Sequence, residues 1–307
     1  MDTPEHDPRL DPPEGIVRVV IDTDTYNEID DQFAVAHALL SPERFQVEAI
    51  HAAPFHNARS EGPSDGMHKS YDEILRLLER IDLPADRTPK VFRGADAWLP
   101  DRQTPVACDA VDSLIELAKS DEQPLYVIAL GALTNIASAL LQEPSLAERI
   151  IVVWLGGQPL SARSAREFNL NGDLKASQLL FANDVPLILC PCGCVAGKLL
   201  TTIYELEAHL SGRGPLCDYL LETFRTYHED HFAWAKEIWD LAPGGWLINP
   251  QAMPSEIWSR PTLSDERTWV LAPEDSPRKI RVGRGLWRNP IFANLFKKLQ
   301  AHEPLKA

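Results

Sequence analysis

Residues 16–40 read IVRVVIDTDTYNEIDDQFAVAHALL, and the fold is decided there. Residues 16–21 are a short, β-branched run, the composition of a strand buried on both faces of a parallel sheet. The run ends in acidic residues. From Asp30 onward, in DDQFAVAHALL (30–40), apolar residues return at helical spacing, so a helix begins near Asp30. A strand, an acidic loop and a helix in that order open a βα unit.

Working outward, the same alternation repeats. FQVEAIHAA (45–53) reads as a second strand, and 67–81 as a helix with Leu75, Leu77 and Leu78 on its apolar side. A short strand is expected at 90–92, a helix at 111–118, and a strand at 125–130 followed by the helix LTNIASALL (133–141). IIVVWL (150–155) is a strand ending in Gly156-Gly157, 174–182 a helix, and VPLILC (185–190) a strand. Strands and helices alternating in this way predict an α/β fold with a Rossmann-like, mostly parallel central sheet flanked by helices. Ligands in such folds bind outside the carboxyl ends of the strands. Beyond residue 203 the pattern changes to a helical and short-strand C-terminal elaboration. Residues 203–237 read as helical, TWVLA (268–272) and KIRVG (279–283) as short strands, and IFANLFKKL (291–299) as a closing helix.

Composition narrows the function classes. With 45 acidic and 30 basic residues the net charge is -15, a balance that argues against a nucleic-acid binder or a partner of anionic membranes. MDTPEHDPRLDPPEG (1–15) is acidic, Pro-rich and without an apolar core, so it is expected to be a flexible tail and not a secretory signal. No run of 18 apolar residues occurs, so no transmembrane helix is expected. Five cysteines in 307 residues fit free thiols in a reducing cytoplasm. No Pro/Gly/Ser linker divides residues 16–307, which are expected to form one domain.

The chemistry concentrates in IDTDTYNEIDDQ (21–32). Asp22, Asp24, Asp30 and Asp31 crowd the end of one strand, and packed carboxylates need a cation or protons to neutralise them. Oxygen-only ligands suit a hard cation, Ca²⁺ or Mg²⁺. Asp30 or Asp31 could alternatively serve only as a helix N-cap. VVIDTDT (19–25) also matches the opening motif of haloacid-dehalogenase-like phosphatases, in which the first Asp is the nucleophile. The remaining motifs of that family have no convincing counterpart here.

Five ordered segments point elsewhere. They are the Asp22, Asp24, Asp30, Asp31 series; IALGALTNIASAL (128–140); WLGGQ (154–158); REFNLNGDLKAS (166–177); and IWDLAPGGWLINP (238–250). Together they resemble the inosine-uridine-preferring nucleoside hydrolases, and the resemblance thins after about residue 255. It implies calcium-dependent hydrolysis of the N-glycosidic bond of a ribonucleoside or related ribosyl compound, in a homodimer or homotetramer. Asp24 would be a calcium ligand and the general base, with Asp31, Asp240 and the carbonyl of Leu130 as further ligands. Asp30, Glu167 and Asn169 would hold ribose hydroxyls, and Asp22 would support the metal site from its edge. Asn57 is a candidate ribose contact, although Phe55 could occupy that position instead.

Two departures bear on the substrate. The family usually has Pro-Gly between its Asp pairs, whereas this chain has the longer Thr25-Tyr26-Asn27-Glu28-Ile29. Members acting on purine nucleosides often have His before the late Asp. Here that residue is Trp239, a candidate to stack on a flat base, and leaving-group activation falls to His56, His228, His231 or Tyr227, or the leaving group differs. These departures keep a riboside-binding protein without turnover as an alternative beside the phosphatase. CPCGC (190–194) could bind a soft metal but lacks the usual spacing, and small thiols packed behind a strand end explain it more simply. Gly156-Gly157 reads as a tight turn, since no phosphate-binding pattern follows.

Overall fold

In the computed structural model, which describes residues 6–304, seven consecutive buried residues form β1 (Val17–Thr23). Successive side chains leave a strand on opposite faces: Val19 and Ile21 enter one hydrophobic core and Val20 the other. This two-sided burial is why the run is continuously apolar.

There follow α1 (Asp31–Leu39), β2 (Phe45–Ala52), α2 (Pro63–Ile81), β3 (Lys90–Arg93), α3 (Asp109–Lys119) and β4 (Leu125–Ala129). Next come α4 (Thr134–Gln142), β5 (Ile150–Leu155), α5 (Phe168–Gly172), α6 (Leu174–Ala182) and β6 (Leu187–Cys190). The C-terminal part contains β7 (Leu200–Thr201), α7 (Ile203–Leu210), α8 (Pro215–Tyr227), β8 (Lys236–Glu237) and α9 (Leu241–Ile248). It ends with β9 (Ser255–Ser259), β10 (Thr262–Leu263), β11 (Trp269–Val270), β12 (Lys279–Gly283) and α10 (Arg288–Ala301).

The central sheet has eight strands in the order β3-β2-β1-β4-β5-β6-β12-β9. Every pairing is parallel except that of β9, which runs antiparallel to β12 at the edge. The mostly parallel sheet is therefore as expected, and KIRVG extends it instead of standing apart. Chain order reverses direction between β1 and β4, and the crevice at such a switch point is where doubly wound sheets bind ligands.

Several details differ from the sequence reading. In α2 the buried stripe is Met67, Ser70, Ile74, Leu77 and Ile81, whereas Leu75 is 38% exposed; a stripe at three- and four-residue steps leaves Leu75 on the outer side. Residues 203–237 are not one helical stretch. Gly212 and Gly214 have positive φ, Pro215 opens α8, and the chain after Tyr227 is irregular until Lys236 pairs with Thr201. Of the tail expected at 1–15, residues 1–5 lie outside the described residues, but residues 6–15 are tied down. Leu10 is buried, Arg9 donates to the carbonyls of Ala147 and Glu148, and Asp11 pairs with Arg281 at 2.5 Å. Composition reported the Pro and charge content of this segment but not the single leucine that anchors it.

Candidate active site

The switch point is built by three chain segments. Asp22 in β1 is in register with Ala129 in β4, so the residues following these strands, Asp24 and Leu130-Gly131, emerge side by side. A Cβ on Gly131 would stand 3.0 Å from Cγ of Asp24 and 3.2 Å from Cβ of Ala53, closer than ordinary van der Waals contact, so a side chain here would press on the Asp24 carboxylate. After the Thr25–Ile29 loop the chain returns through Asp30, which flanks α1, and Asp31, its first residue. Asp240 arrives at the start of α9. Ligand atoms of Asp30, Asp31 and Asp240 all lie within 4.8 Å of one another, and all three residues are buried.

The hydrogen bonding of the cluster is incomplete. Asp22 accepts from Nδ2 of Asn135 at 2.8 Å, and the Thr23 hydroxyl donates to Oδ1 of Asp31. Oδ2 of Asp24, Oδ2 of Asp31 and Oδ1 of Asp240 are buried without a partner. Such groups are costly in a folded protein and call for an unaccounted ligand. Burial is the largest cause pushing the carboxyls of Asp24, Asp31 and Asp240 well above the ordinary range, and their mutual repulsion adds to it. Burial also raises Asp30, opposed by Lys236, and lifts Asp22 to about 7 against the Asn135 hydrogen bond. Several oxygen donors with orphaned atoms in a dry, mutually repelling set fit a hard divalent cation.

Beside the cluster lies a cavity of about 300 Å³. Of the residues singled out in the sequence, Asp30, Leu130, Glu167, Asn169, Trp239 and Asp240 line it. Asp22, Asp24 and Asp31 lie in the cluster behind it. Asn57 does not reach it: Nδ2 of Asn57 donates to Oδ1 of Asn27 at 2.6 Å, and Asn27 is the lining residue. His56 is exposed, and His228 and His231 stack around Trp234, none of them lining the cavity.

Glu167 immediately precedes α5 and caps it, its carboxylate accepting from the backbone N–H of Gly157, Asn169 and Leu170 at 2.9, 2.9 and 3.0 Å. Most of its acceptor capacity is thus spent on the loop. Nδ2 of Asn169 donates to the carbonyls of Leu130 at 2.6 Å and Leu155 at 3.0 Å, which leaves its Oδ1 for a hydroxyl. The Leu130 carbonyl keeps one lone pair beyond this bond.

Six lining residues had no site role in the sequence reading: Asn27, Glu28, Leu155, Gln158, Phe168 and Cys192. Glu28 stood in the sequence only as part of the longer Thr25–Ile29 loop. Its partner Lys236, buried, places Nζ 2.5 Å from Oε2 of Glu28 and 5.9 Å from the Trp239 ring centroid; no local pattern marked it. Burial pushes the Cys192 thiol far up, and the neighbouring Glu167 carboxylate adds to the shift. Cys190 is buried and Cys194 exposed, so CPCGC does not gather into a thiolate site. Asp22, which would be the nucleophile of a phosphatase, sits beneath the cavity, bound to Asn135. Gly157 makes a turn with φ +63°, as expected.

The profile of the family described as inosine-uridine preferring nucleoside hydrolase matches residues 19–282. The pyrimidine-specific ribonucleoside hydrolase RihA of Klebsiella pneumoniae is 26% identical over 247 residues, spanning 72% of this chain and 77% of the relative. Two solved structures share the fold. A plant nucleoside hydrolase superposes with a TM-score of 0.70 at 20% identity, covering 93% of this chain and 99% of its own. A purine-preferring ribonucleoside hydrolase from Gardnerella vaginalis gives 0.70 at 17% identity, covering 92% and 98%.

Proposed function

The chain belongs to the inosine-uridine preferring nucleoside hydrolase family, an N-glycosyl hydrolase family, and from that premise we propose that it cleaves a riboside with the help of Ca²⁺ held by Asp24, Asp31, Asp240 and the Leu130 carbonyl. The observation that carries the reading is the set of orphaned carboxylate oxygens at the sheet's switch point. When bound, a divalent cation neutralises these carboxylates and lowers the pKa of the attacking water. Asp30 belongs to the same close triad, so in this proposal it stands between metal and sugar.

The chain's own residues do the remaining work. Asp24 takes the proton of the attacking water as general base. Asp30 and Oδ1 of Asn169 hold ribose hydroxyls, and Glu167 fixes the α5 start that carries Asn169. Asn57 acts one step back, by orienting Asn27. Asp22 supports the strand end from which Asp24 projects. The concentrated negative charge favours the ribosyl cation-like state reached as the glycosidic bond lengthens. Trp239 offers a flat surface for the departing ring.

The proposal includes a cytoplasmic setting, consistent with five free cysteines, and an assembly of two or four copies, testable by sedimentation. The decisive assay is ribose release from a panel of nucleosides, with and without Ca²⁺, using Asp24→Ala as control. Riboside binding without any ribose release would establish a binding protein instead. That second reading draws on Trp239 standing where an acid is often found.

A further inference from the structure

The residues around the leaving-group end of the cavity carry a consequence for substrate class. When a neutral nucleoside is cleaved, the base departs with the bonding electron pair and needs a proton to avoid leaving as an anion. Among the described residues, no histidine, lysine, arginine or tyrosine lines this cavity; of the carboxyls that do, Asp30 and Asp240 belong to the cation cluster, Glu167 accepts from three backbone N–H groups and Glu28 is paired with Lys236. Cys192 is its lone thiol, and burial and the carboxylate of Glu167 hold that proton in place. Glu28 shares the lining with two aromatic rings, Phe168 and Trp239.

Glu28 comes from the unusually long Thr25–Ile29 loop. Its side chain is 34% exposed. Lys236 engages Oε2 from the protein side and is not itself a lining residue; the other carboxylate oxygen has no hydrogen bond among the described residues. Lys236 offsets part of the Glu28 charge and stands 5.9 Å from the Trp239 ring centroid. The lining nevertheless carries four carboxylates in all, Glu28, Asp30, Glu167 and Asp240. An excess of negative charge beside flat aromatic surfaces is the arrangement that receives a planar organic cation.

Resting on the hydrolase reading above, we propose that the preferred substrate is an N-riboside whose leaving group is a positively charged aromatic heterocycle, a ribosylated pyridinium being the simplest case. The chemistry then balances without an acid. The bond from the anomeric carbon to the ring nitrogen breaks, and its electron pair neutralises the ring, which departs uncharged. The water oxygen bonds to the anomeric carbon and gives one proton to Asp24 and then to solvent. The products are ribose, neutral heterocycle and a proton. Glu28 holds the cation before cleavage and loses its attraction as the ring becomes neutral, so it serves selection and release.

The test compares kcat/KM of the Ca²⁺-loaded enzyme for nicotinamide riboside with kcat/KM for uridine and inosine. The cationic riboside is expected to be at least about tenfold better, and Glu28→Gln to lower that ratio by about two- to fivefold, the worth of one partly exposed charge contact. Glu28→Asp, which keeps the charge, should recover part of the ratio, and thermal melting of each variant separates this from misfolding. Faster turnover of uridine or inosine, or equal losses on all three substrates in Glu28→Gln, would overturn the substrate class while leaving the hydrolase reading intact. Absence of ribose release from every compound would overturn both.

Discussion

Asn135 shows how much of the site hangs on one amide. Its Nδ2 binds Asp22 and the Ala52 carbonyl, while its Oδ1 accepts from the N–H of Ala95 at 2.8 Å. Asn135→Ala strips a buried carboxylate and a buried N–H of their partners, and should cost about 3 kcal/mol in a urea melt. A loss below 1 kcal/mol would mean that water replaces the amide. Asp24 stands at the other end of the same strand terminus. If it is the base, Asp24→Asn should lower kcat roughly 10²–10⁴-fold, and a variant retaining more than a tenth of the rate would remove that role. The aspartates were legible in the sequence because four in ten residues is a local signal. Asn135, like Lys236, was not, since Asp22, Ala52 and Ala95, which it joins, lie 40 residues or more away in the chain.

Along the helices, α2 offers a clean contrast. Leu77 is fully buried and Leu75 is 38% exposed, although both are leucines two residues apart. Leu77→Ala should destabilise by about 3 kcal/mol and Leu75→Ala by no more than about 0.5 kcal/mol, measured by denaturant unfolding. Equal losses would put the buried face of α2 elsewhere. Between α1 and α10, buried His37 bonds Oδ1 of Asn294 at 2.7 Å, and burial holds its pKa down at about 4 against 6.5. Below pH 6.5 the unfolded chain takes up this proton more readily than the folded one. The neutral-His contribution is thus fully present above pH 6.5 and is lost as pH falls toward 4, amounting to about 3 kcal/mol at most. A His37→Gln variant should show a flatter stability profile over that window; parallel profiles would mean that His37 is not the group responsible.

For the molecule as a whole, the cation is the missing piece of the energetics. Folding brings together carboxylates that burial and mutual repulsion disfavour, so a ligand that binds only the folded state stabilises it by mass action. Ca²⁺ at a hundredfold excess over its Kd should add about 2.7 kcal/mol, visible as a rise in Tm that a chelator reverses. Mg²⁺, which demands tighter octahedral geometry, should give a smaller rise. Equal shifts with both ions would remove the preference for calcium. No helix among the described residues is long and apolar enough to cross a membrane.

The parallel sheet and the acidic switch point were readable along the chain because each rests on neighbours in sequence. β-branched runs announce strands buried on both faces, and an aspartate cluster after the first of them announces a cation. The convergence of Asp240 with Asp30 and Asp31, the spending of the Glu167 carboxylate on its own loop, and the meeting of Glu28 with Lys236 came only with the folded chain. Each depends on distances between residues far apart in sequence or on hydrogen bonds that one loop geometry permits. Burial then sets their energetics, because a carboxylate's proton affinity follows from what surrounds it in space and not from what adjoins it in the chain.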